Sequence, residues 1–484
     1  MSALWTVEEL LGATNGRPLG NLPEEISGIS IDSRSLNKGD AFFAIKGDRV
    51  DGHDFASAAM AAGAGLLVVA EEKLPALGRL AMPMIVVSDV LAALAAVGVA
   101  ARKRSKAKVI AVTGSAGKTT TKEALRLALS PSGKVHASDR SYNNHWGVPL
   151  SLARLPADAD YAIFEIGMNH AGEIRPLVKM VRPHIAMVTL IAAAHLGHFK
   201  NLNEIADAKA EIFEGIEKGG HALINRDDER WKLLEKKATE AGVEHIHGFG
   251  EHSRAEYKIV GFKPTETGSE FTARMAGSDM AVSVGAPGRH MAQNAISVLG
   301  AAQLAGADVE KAVAALADLR AEAGRGRIQR LKHPRGKFTL VDESYNANPA
   351  SMRAAITLLA QMPVGSSGRR IAVLGDMLEL GQHAEKLHAG LAEPLLEAGM
   401  DRVFLGGPEM AALNDKLRET IKVDYQPTVD ALLPQVVSVA RPGDVLMIKS
   451  SNGIGFARIV KALTEKFPPV EEGRTAAAGE RGDR

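Results

Sequence analysis

The sequence predicts an α/β protein of three domains: a small N-terminal α/β domain, a central domain whose mostly parallel sheet carries a glycine-bearing loop, and a C-terminal Rossmann-like domain. Three observations predict it. The chain has 484 residues, too many for one core when domains commonly hold about 100–200 residues. Short apolar runs alternate with helical stretches along most of it, the pattern of parallel strands joined by helices that cover both faces of a sheet. Composition shifts abruptly at a basic stretch, 102–108, and strands recur after a glycine–arginine turn, 324–327, which together divide the chain into 1–104, 105–328 and 329–467.

In the first division a polar turn at 32–34 precedes a strand at 41–45, and a helix from Asp54 leads to a strand at 66–70. An alanine-rich helix from Val90 to about Ala101 closes this α/β unit. In the second division the runs 109–112, 162–164, 185–191 and 222–224 read as strands, with helices over 119–129 and 204–216. In the third, strands at 338–341, 371–374, 402–405 and 445–448 with helices between them form a smaller doubly wound unit. Residues 468–484 mix Glu, Arg, Gly and Ala without apolar periodicity and read as a disordered tail.

Hydrophobic residues make up 46% and charged residues 24%, the balance of a globular protein with enough apolar surface for several cores. A net charge of +1 provides no long-range field for nucleic acid or an anionic membrane, so an anionic ligand needs a local site. The absence of cysteine excludes disulfides, zinc–thiolate sites and a thiol nucleophile, and fits a reducing cytosol. No basic segment leads into an apolar one at the start, and no apolar window is long enough for about 30 Å of hydrocarbon. The expectations are a cytoplasmic monomer with no nucleic-acid partner and no stable membrane insertion.

The sharpest motif is a strand ending in Thr113-Gly114-Ser115-Ala116-Gly117-Lys118-Thr119-Thr120 and running into a helix. Gly114 and Gly117 let the backbone approach phosphate oxygens, N–H groups of the helix point at them, and Lys118 adds a full charge. A helix dipole contributes only about 0.3–1 kcal/mol, so Lys118 and a metal carry most of the neutralisation, with Thr119 the natural hydroxyl ligand. The longer loop G-x-x-x-x-G-K-[ST] would need glycine where Val112 stands, which leaves the shorter T-G-x-x-G-K-T form. Three further groups follow predicted strands, where open sheets place ligands. Glu165 reads as a hard oxygen donor for Mg²⁺ or as a solvated carboxylate; His195 reads as ligand, base or polar loop residue. Helix capping accounts for Asn225-Arg226-Asp227-Asp228.

With Tyr142-Asn143-Asn144, Gly147-Val148-Pro149, the segment 165–174, Ala194-His195-Leu196-Gly197 and Ala208-Lys209-Ala210-Glu211-Ile212, in this order and spacing, the motif resembles the central domain of the Mur ligases. The likeness continues through Gly288-Arg289-His290, Asn294-Ala295, Gly324-Arg325-Gly326 and Asp342-Glu343-Ser344-Tyr345-Asn346-Ala347-Asn348-Pro349. That last segment, with Gly375-Asp376-Met377-Leu378-Glu379-Leu380-Gly381, resembles the branch of the family that adds D-alanyl-D-alanine, and the likeness spans about 26–463. At the N-terminus, Ile31-Asp32-Ser33-Arg34 and 47–55 are similar to the domain holding the UDP end of the substrate; an N-cap and a surface ion pair is the other reading of these residues. The Asp-Asn-Pro-Arg motif of third-residue adding enzymes that use diaminopimelate is absent. Departures from the family pattern are His145-Trp146 before Gly147, the pair Asp342-Glu343, and Lys449-Ser450-Ser451-Asn452-Gly453 near the end, where Ser450 and Asn452 receive no role.

The resemblance implies an ATP-dependent ligase that joins D-alanyl-D-alanine to UDP-N-acetylmuramoyl-tripeptide through an acyl phosphate, releasing ADP and phosphate in peptidoglycan precursor synthesis. It implies a UDP-substrate domain at 1–104, a P-loop ATP-binding domain at 105–328 and a Rossmann-like domain at 329–467. ATP contacts are expected at Gly114, Ser115, Ala116, Gly117, Lys118, Thr119, Thr120, Asn294, Arg325 and one of Asp342 or Glu343. UDP-substrate contacts are expected at Ser33, Arg34, Gly47, Asp51, His53, Asn143 and Asn144. Two Mg²⁺ ions would be held by Thr119, Glu165, His195 and Lys209, and Lys118, His195 and Lys209 would be catalytic. By residue type Lys209 is a solvated helix lysine; the resemblance implies instead a carbamylated lysine, since an ammonium cannot bind Mg²⁺. The rival readings are the third-residue adding enzyme, a folylpolyglutamate synthase-like ligase, and a P-loop NTPase switch that turns over nucleotide without acid or amine.

Overall fold

The computed structural model describes residues 3–47, 49–78, 80–265 and 268–470. It forms two compact units, Met1–Ala192 with His198–Leu319, and Ala193–Gly197 with Arg320–Arg484.

The first unit takes in both the N-terminal and the central stretch. Its smaller sheet has the order Arg17–Leu19, Met84–Val87, Leu66–Ala70, Ala41–Phe43, Ile29–Ser30, antiparallel only at its first pairing. Every residue of Leu66–Ala70 is buried, which is why this strand reads as a continuous apolar run. The helix expected from Asp54 begins as a 3₁₀ turn, Gly52–Phe55, and becomes α-helical over Ala56–Ala61.

Helix Val90–Arg104 runs three residues past the expected end and takes in the start of the basic stretch read as a boundary. The physical reason is Arg102, which is 5% exposed. Its Nε and Nη2 donate at 2.8 Å each to the carbonyls of Val181 and Arg182, where helix Ile174–Val181 ends, satisfying carbonyls that a helix terminus leaves unpaired. Trp5 Nε1 donates to the Ala153 carbonyl at 2.8 Å, and the Arg104 guanidinium lies 3.4 Å from the centre of the Trp5 ring. These contacts fasten the N-terminal stretch to the central one.

The larger sheet of this unit has nine strands in the order Ser278–Val284, Ser269–Met275, Tyr257–Pro264, His245–Gly250, His221–Asn225, Ile185–Val188, Lys108–Thr113, Tyr161–Glu165, Val135–Ala137. It is parallel from Val135–Ala137 to Tyr257–Pro264 and antiparallel in the last two pairings, so the mostly parallel expectation holds. The strand expected over 185–191 ends at Val188. Beyond it the backbone serves the loops instead: Ser115 N–H donates to the Leu190 carbonyl at 2.7 Å, and Ile191 N–H to Asp228 at 2.6 Å. The helix expected over 204–216 is α-helical at Leu202–Ala210 and tightens to 3₁₀ over Glu211–Gly215.

The second unit is built on six strands in the order Arg327–His333, Gly336–Glu343, Val445–Lys449, Arg370–Gly375, Arg402–Gly406, Val423–Gln426, parallel after the first hairpin. The tail expected to be disordered from 468 needs correction at its start. Pro468 accepts from Lys332 N–H at 2.9 Å and Val470 N–H donates to Arg330 at 2.8 Å, pairing this stretch with the exposed edge of Arg327–His333. The rest of that tail, 471–484, lies outside the described residues. Among the described residues no helix is long and apolar enough to cross a membrane.

One histidine of the first unit ties its packing to pH. His184 Nδ1 accepts the Val109 N–H at 2.9 Å, and burial, helped by the charges of Arg102 and Lys108, lowers its pKa from 6.5 to about 4. The unfolded chain therefore binds this proton more readily, and stability present above pH 6.5 is lost as pH falls through about 4. The urea midpoint followed by circular dichroism should drop across that window, and drop less in His184→Gln; identical pH slopes would remove His184 from the account.

Candidate active site

The centre of the first unit is assembled where strand Lys108–Thr113 hands the chain to helix Lys118–Leu129. Gly114 has φ of 155°, and a Cβ there would sit 1.9 Å from Thr189 Oγ1, so only glycine fits. Thr189 Oγ1 in turn donates to the Ala116 carbonyl at 2.6 Å, and Ser115 Oγ to the Ala192 carbonyl at 3.0 Å. The loop is thus held from outside by two hydroxyl–carbonyl contacts and by the Ser115 N–H on the Leu190 carbonyl. Gly117, with φ of 83°, is the helix N-cap and supplies no side-chain cap, which leaves N–H donors of the first turn for an anion. The Lys118 ammonium rests on the Gly114 carbonyl at 2.8 Å. Asn294, on helix Arg289–Leu304, lies against the loop: a Cβ on Gly117 would come within 3.0 Å of its Oδ1.

Behind the loop sits a buried carboxylate. Glu165, the last residue of strand Tyr161–Glu165, is 1% exposed. Its Oε2 accepts from Thr119 Oγ1 at 2.8 Å and its Oε1 from Asn143 Nδ2 at 2.6 Å. Thr119 Oγ1 also lies 3.3 Å from Ser141 Oγ. Both partners of the carboxylate are neutral, and among the described residues it has no ion pair. A buried charge left so is costly without a cation, and a hydroxyl beside a carboxylate is the hard oxygen set that Mg²⁺ takes. These residues fit that ion.

Lys209, on helix Leu202–Ala210 capped by Asn201, is 1% exposed. Burial, with the Lys118 charge second, holds its ammonium well below the usual lysine range. Among the described residues its Nζ has no hydrogen-bond or ion-pair partner. The next residue but one, Glu211, is buried and accepts from Gly172 N–H at 2.7 Å and Arg175 N–H at 3.1 Å, holding the loop that follows Glu165. Only contacts gave Glu211 this place; the sequence offered the Ala-Lys-Ala-Glu motif without a partner.

Other expected groups are placed as follows. Of the residues expected at the UDP substrate, Asn143 lies against Glu165, and Asn144 Oδ1 accepts from Gly147 N–H at 2.9 Å where helix Gly147–Ala153 begins. Ser33 is half-buried beside Arg34, whose fork is paired with Asp32 at 2.9 and 2.7 Å and whose side chain is 88% exposed. That pairing brings Asp32 down to about 2. Asp51 contacts His53 at 2.6 Å and Lys73 at 2.8 Å, while His53 Nε2 accepts from Ala70 N–H at 2.9 Å, so these two residues fasten the turn Gly52–Phe55 to the end of strand Leu66–Ala70. Trp146, a departure from the family pattern, covers Gly47: a Cβ there would meet its ring at 3.0 Å. The capping role expected for 225–228 needs correction. Asn225 and Asp228 do accept from the N–H groups two residues on, those of Asp227 and Arg230, at 2.9 Å each, but helix Trp231–Glu240 itself has no side-chain cap. The other ends of these side chains reach the loop after Val188, Asn225 Nδ2 donating to the Thr189 carbonyl at 2.9 Å and Asp228 accepting from Ile191 N–H.

In the second unit Asp342 is buried and accepts from Gly324 N–H at 2.8 Å and Ser344 Oγ at 2.6 Å. It shapes the turn that carries Arg325, whose guanidinium lies 3.9 Å from the Tyr345 ring centre. Glu343 pairs with buried Lys449 at 3.0 Å, a partnership that no sequence spacing announces. His195 belongs to the segment grouped with this unit; its Nδ1 lies against the Glu379 carboxylate, and Gly197 N–H donates to the Glu379 carbonyl at 2.8 Å.

Comparison with known proteins accords with this geometry. Three family models match: the Mur ligase family catalytic domain at 25–122, the Mur ligase middle domain at 112–302, and the Mur ligase glutamate ligase domain at 326–452. The UDP-N-acetylmuramoyl-tripeptide–D-alanyl-D-alanine ligase of Rickettsia prowazekii is 34% identical over 89% of this chain and 94% of its own. The enzyme of that name from Escherichia coli is 33% identical over 95% and 98%. A crystal structure of MurF from Acinetobacter baumannii superposes with a TM-score of 0.82 at 30% identity, over 95% of this chain and 99% of that one.

Loss of the Lys118 charge should weaken nucleotide binding, since a hydrogen bond to a charged group contributes about 1.5–3 kcal/mol. In Lys118→Ala the Kd for ATP measured by calorimetry is expected to rise about ten- to hundredfold, with the melting temperature unchanged; an unchanged Kd would take Lys118 out of the site.

Proposed function

The chain belongs to the Mur ligase family, and we propose that Gly114–Thr120 together with Glu165, Asn294 and Lys209 form the centre at which its carboxylate substrate is activated. It is an ATP-dependent ligase that joins D-alanyl-D-alanine to UDP-N-acetylmuramoyl-tripeptide in peptidoglycan precursor synthesis. The observation that carries the placement of the centre is the buried Thr119–Glu165–Asn143 cluster directly behind the loop that holds Lys118.

A carboxylate is a poor acyl donor because its leaving group would be oxide. An oxygen of the tripeptide's terminal carboxylate attacks the γ-phosphorus of ATP, the bond from that phosphorus to the bridging oxygen breaks, and ADP leaves with the electron pair. The amine of D-alanyl-D-alanine then attacks the acyl carbon, the carbon–oxygen bond to phosphate breaks, and the amine gives up a proton as the amide forms. Lys118 and the uncapped N–H groups after Gly117 face charge that gathers on the transferring phosphoryl. Thr119 and Glu165 would hold Mg²⁺, which supplies Lewis-acid neutralisation of the phosphate oxygens when bound. Asn294 is proposed to touch the nucleotide beside Gly117. Arg325 with one of Asp342 or Glu343 is proposed as the nucleotide group of the second unit. Ser33, Arg34, Gly47, Asp51 and His53, with Asn143 and Asn144, are proposed to hold the UDP end of the substrate, and His195 to act as ligand or base. We place the enzyme in the cytoplasm as a monomer.

Release of ADP should require the UDP-tripeptide and ATP together, and amide product should require D-alanyl-D-alanine as well. Coupled assays omitting each component in turn test this, and equal ADP release without the tripeptide would overturn the assignment of the centre to acyl activation.

Lys209 adds a second element. Burial favours its neutral amine, whose lone pair can attack CO₂; a nitrogen–carbon bond forms, one proton leaves, and two carboxylate-like oxygens replace an ammonium that cannot hold Mg²⁺. Lys209→Ala should lose most activity and recover part of it with added formate or acetate, and the wild type in ¹³C-bicarbonate should show a carbamate resonance that Lys209→Ala lacks. Full activity in Lys209→Ala with no such resonance in the wild type would refute the carbamate.

A further inference from the structure

One charged side chain of the first unit, outside the groups assigned above, is sealed from solvent with its own set of partners. Lys122 stands one helical turn beyond Thr119 on helix Lys118–Leu129, so the two side chains leave the same face. Its side chain is 0% exposed. An ammonium is costly to bury unless each donor is used. Here Nζ donates to the carbonyl oxygens of Ser138 at 2.6 Å and Arg140 at 2.5 Å, and pairs with Glu123 at 2.9 Å. Three donors meet three acceptors.

What those carbonyls belong to gives the contact its meaning. They lie in the segment after strand Val135–Ala137, in which Arg140 has φ of 48°, a left-handed conformation that a non-glycine residue keeps only when its surroundings impose it. The same segment brings Ser141 to Thr119 and the Asn143 amide to Glu165, and the Asn143 carbonyl accepts from Gly167 N–H at 2.8 Å.

We propose that Lys122 is a positioning residue: it ties segment 138–143 to the helix so that Ser141 and Asn143 fix the Thr119–Glu165 pair in the orientation that receives the divalent cation of the nucleotide. The ammonium itself touches neither substrate nor metal. The proposal rests on the reading of Thr119 and Glu165 as the metal-holding pair.

The test uses the whole enzyme and a fluorescent ADP analogue, with affinity measured in EDTA and again in Mg²⁺. The ratio of the two is the gain due to the metal. Lys122→Met keeps the length of the stem and removes the donors; it should cut that gain about tenfold, the usual cost of losing a group that orients a metal ligand, while affinity in EDTA stays within about twofold. Amide exchange across 139–143 should also quicken. A gain left intact in folded Lys122→Met overturns the proposal, as does an equal loss of affinity in EDTA and in Mg²⁺, which marks a general structural effect. Asn143→Ala keeps the tether and removes what it delivers, so an intact gain there overturns the proposal even if Lys122→Met fails to fold. Glu165→Gln separates the two layers. If it too keeps the gain, the metal reading of the pair is wrong; if it alone loses the gain, that reading stands and the part given to Lys122 falls.

Discussion

Burying a carboxylate without a fixed cation is the constraint on which the first unit turns. Glu165 could have been neutralised by an arginine, as Glu214 is by Arg175 at 2.6 Å on the surface. Instead it ends a fully buried strand with two neutral donors. Such an arrangement is poor as a stabilising device, since desolvation outweighs what neutral hydrogen bonds return, and sensible as half of a metal site. The rest of the centre is arranged around keeping that carboxylate in place: Thr119 from the phosphate loop, Asn143 from the segment tied down by Lys122, and the loop after Glu165 held by Glu211.

Backbone geometry makes this closeness possible. Gly114 admits the Thr189 hydroxyl where any Cβ would collide, and a Cβ on Gly167 would come within 2.9 Å of the Asn143 side chain. Parallel strands deliver both positions to the same edge, because Glu165 and Val112 are in register and Thr113 pairs with Val188. The ends of three adjacent strands therefore converge, the usual place for ligands in an open α/β sheet. The two buried lysines nearby serve opposite ends. Lys122 is fully partnered, whereas Lys209 has burial and the Lys118 charge working against its protonated form.

Much of this was legible from residue order. The loop Thr113–Thr119 could be read because its glycines, lysine and threonine are consecutive and each has a local physical reason to be there. Buried parallel strands such as Leu66–Ala70 could be read because burial on both faces leaves an unbroken apolar run. Less legible were elements whose ends depend on distant partners. Arg102 looked like linker composition because the carbonyls it satisfies, those of Val181 and Arg182, are about eighty residues away. The run 185–191 looked like one strand because its last residues are apolar, yet their N–H and carbonyl groups answer to Asp228 and Ser115.

By itself, then, the sequence determined the α/β class, the phosphate loop and the family, since these reside in local spacing and in the order of motifs. Tertiary structure alone decided which polar groups share a partner. Asn143 meets Glu165, Asn144 a helix start, Asp228 the Ile191 N–H, and Glu343 meets Lys449. A side chain's type fixes what it can donate or accept, but burial and the approach of strands far apart in the chain fix which acceptor it meets, and that is a property of three dimensions that no spacing along one carries.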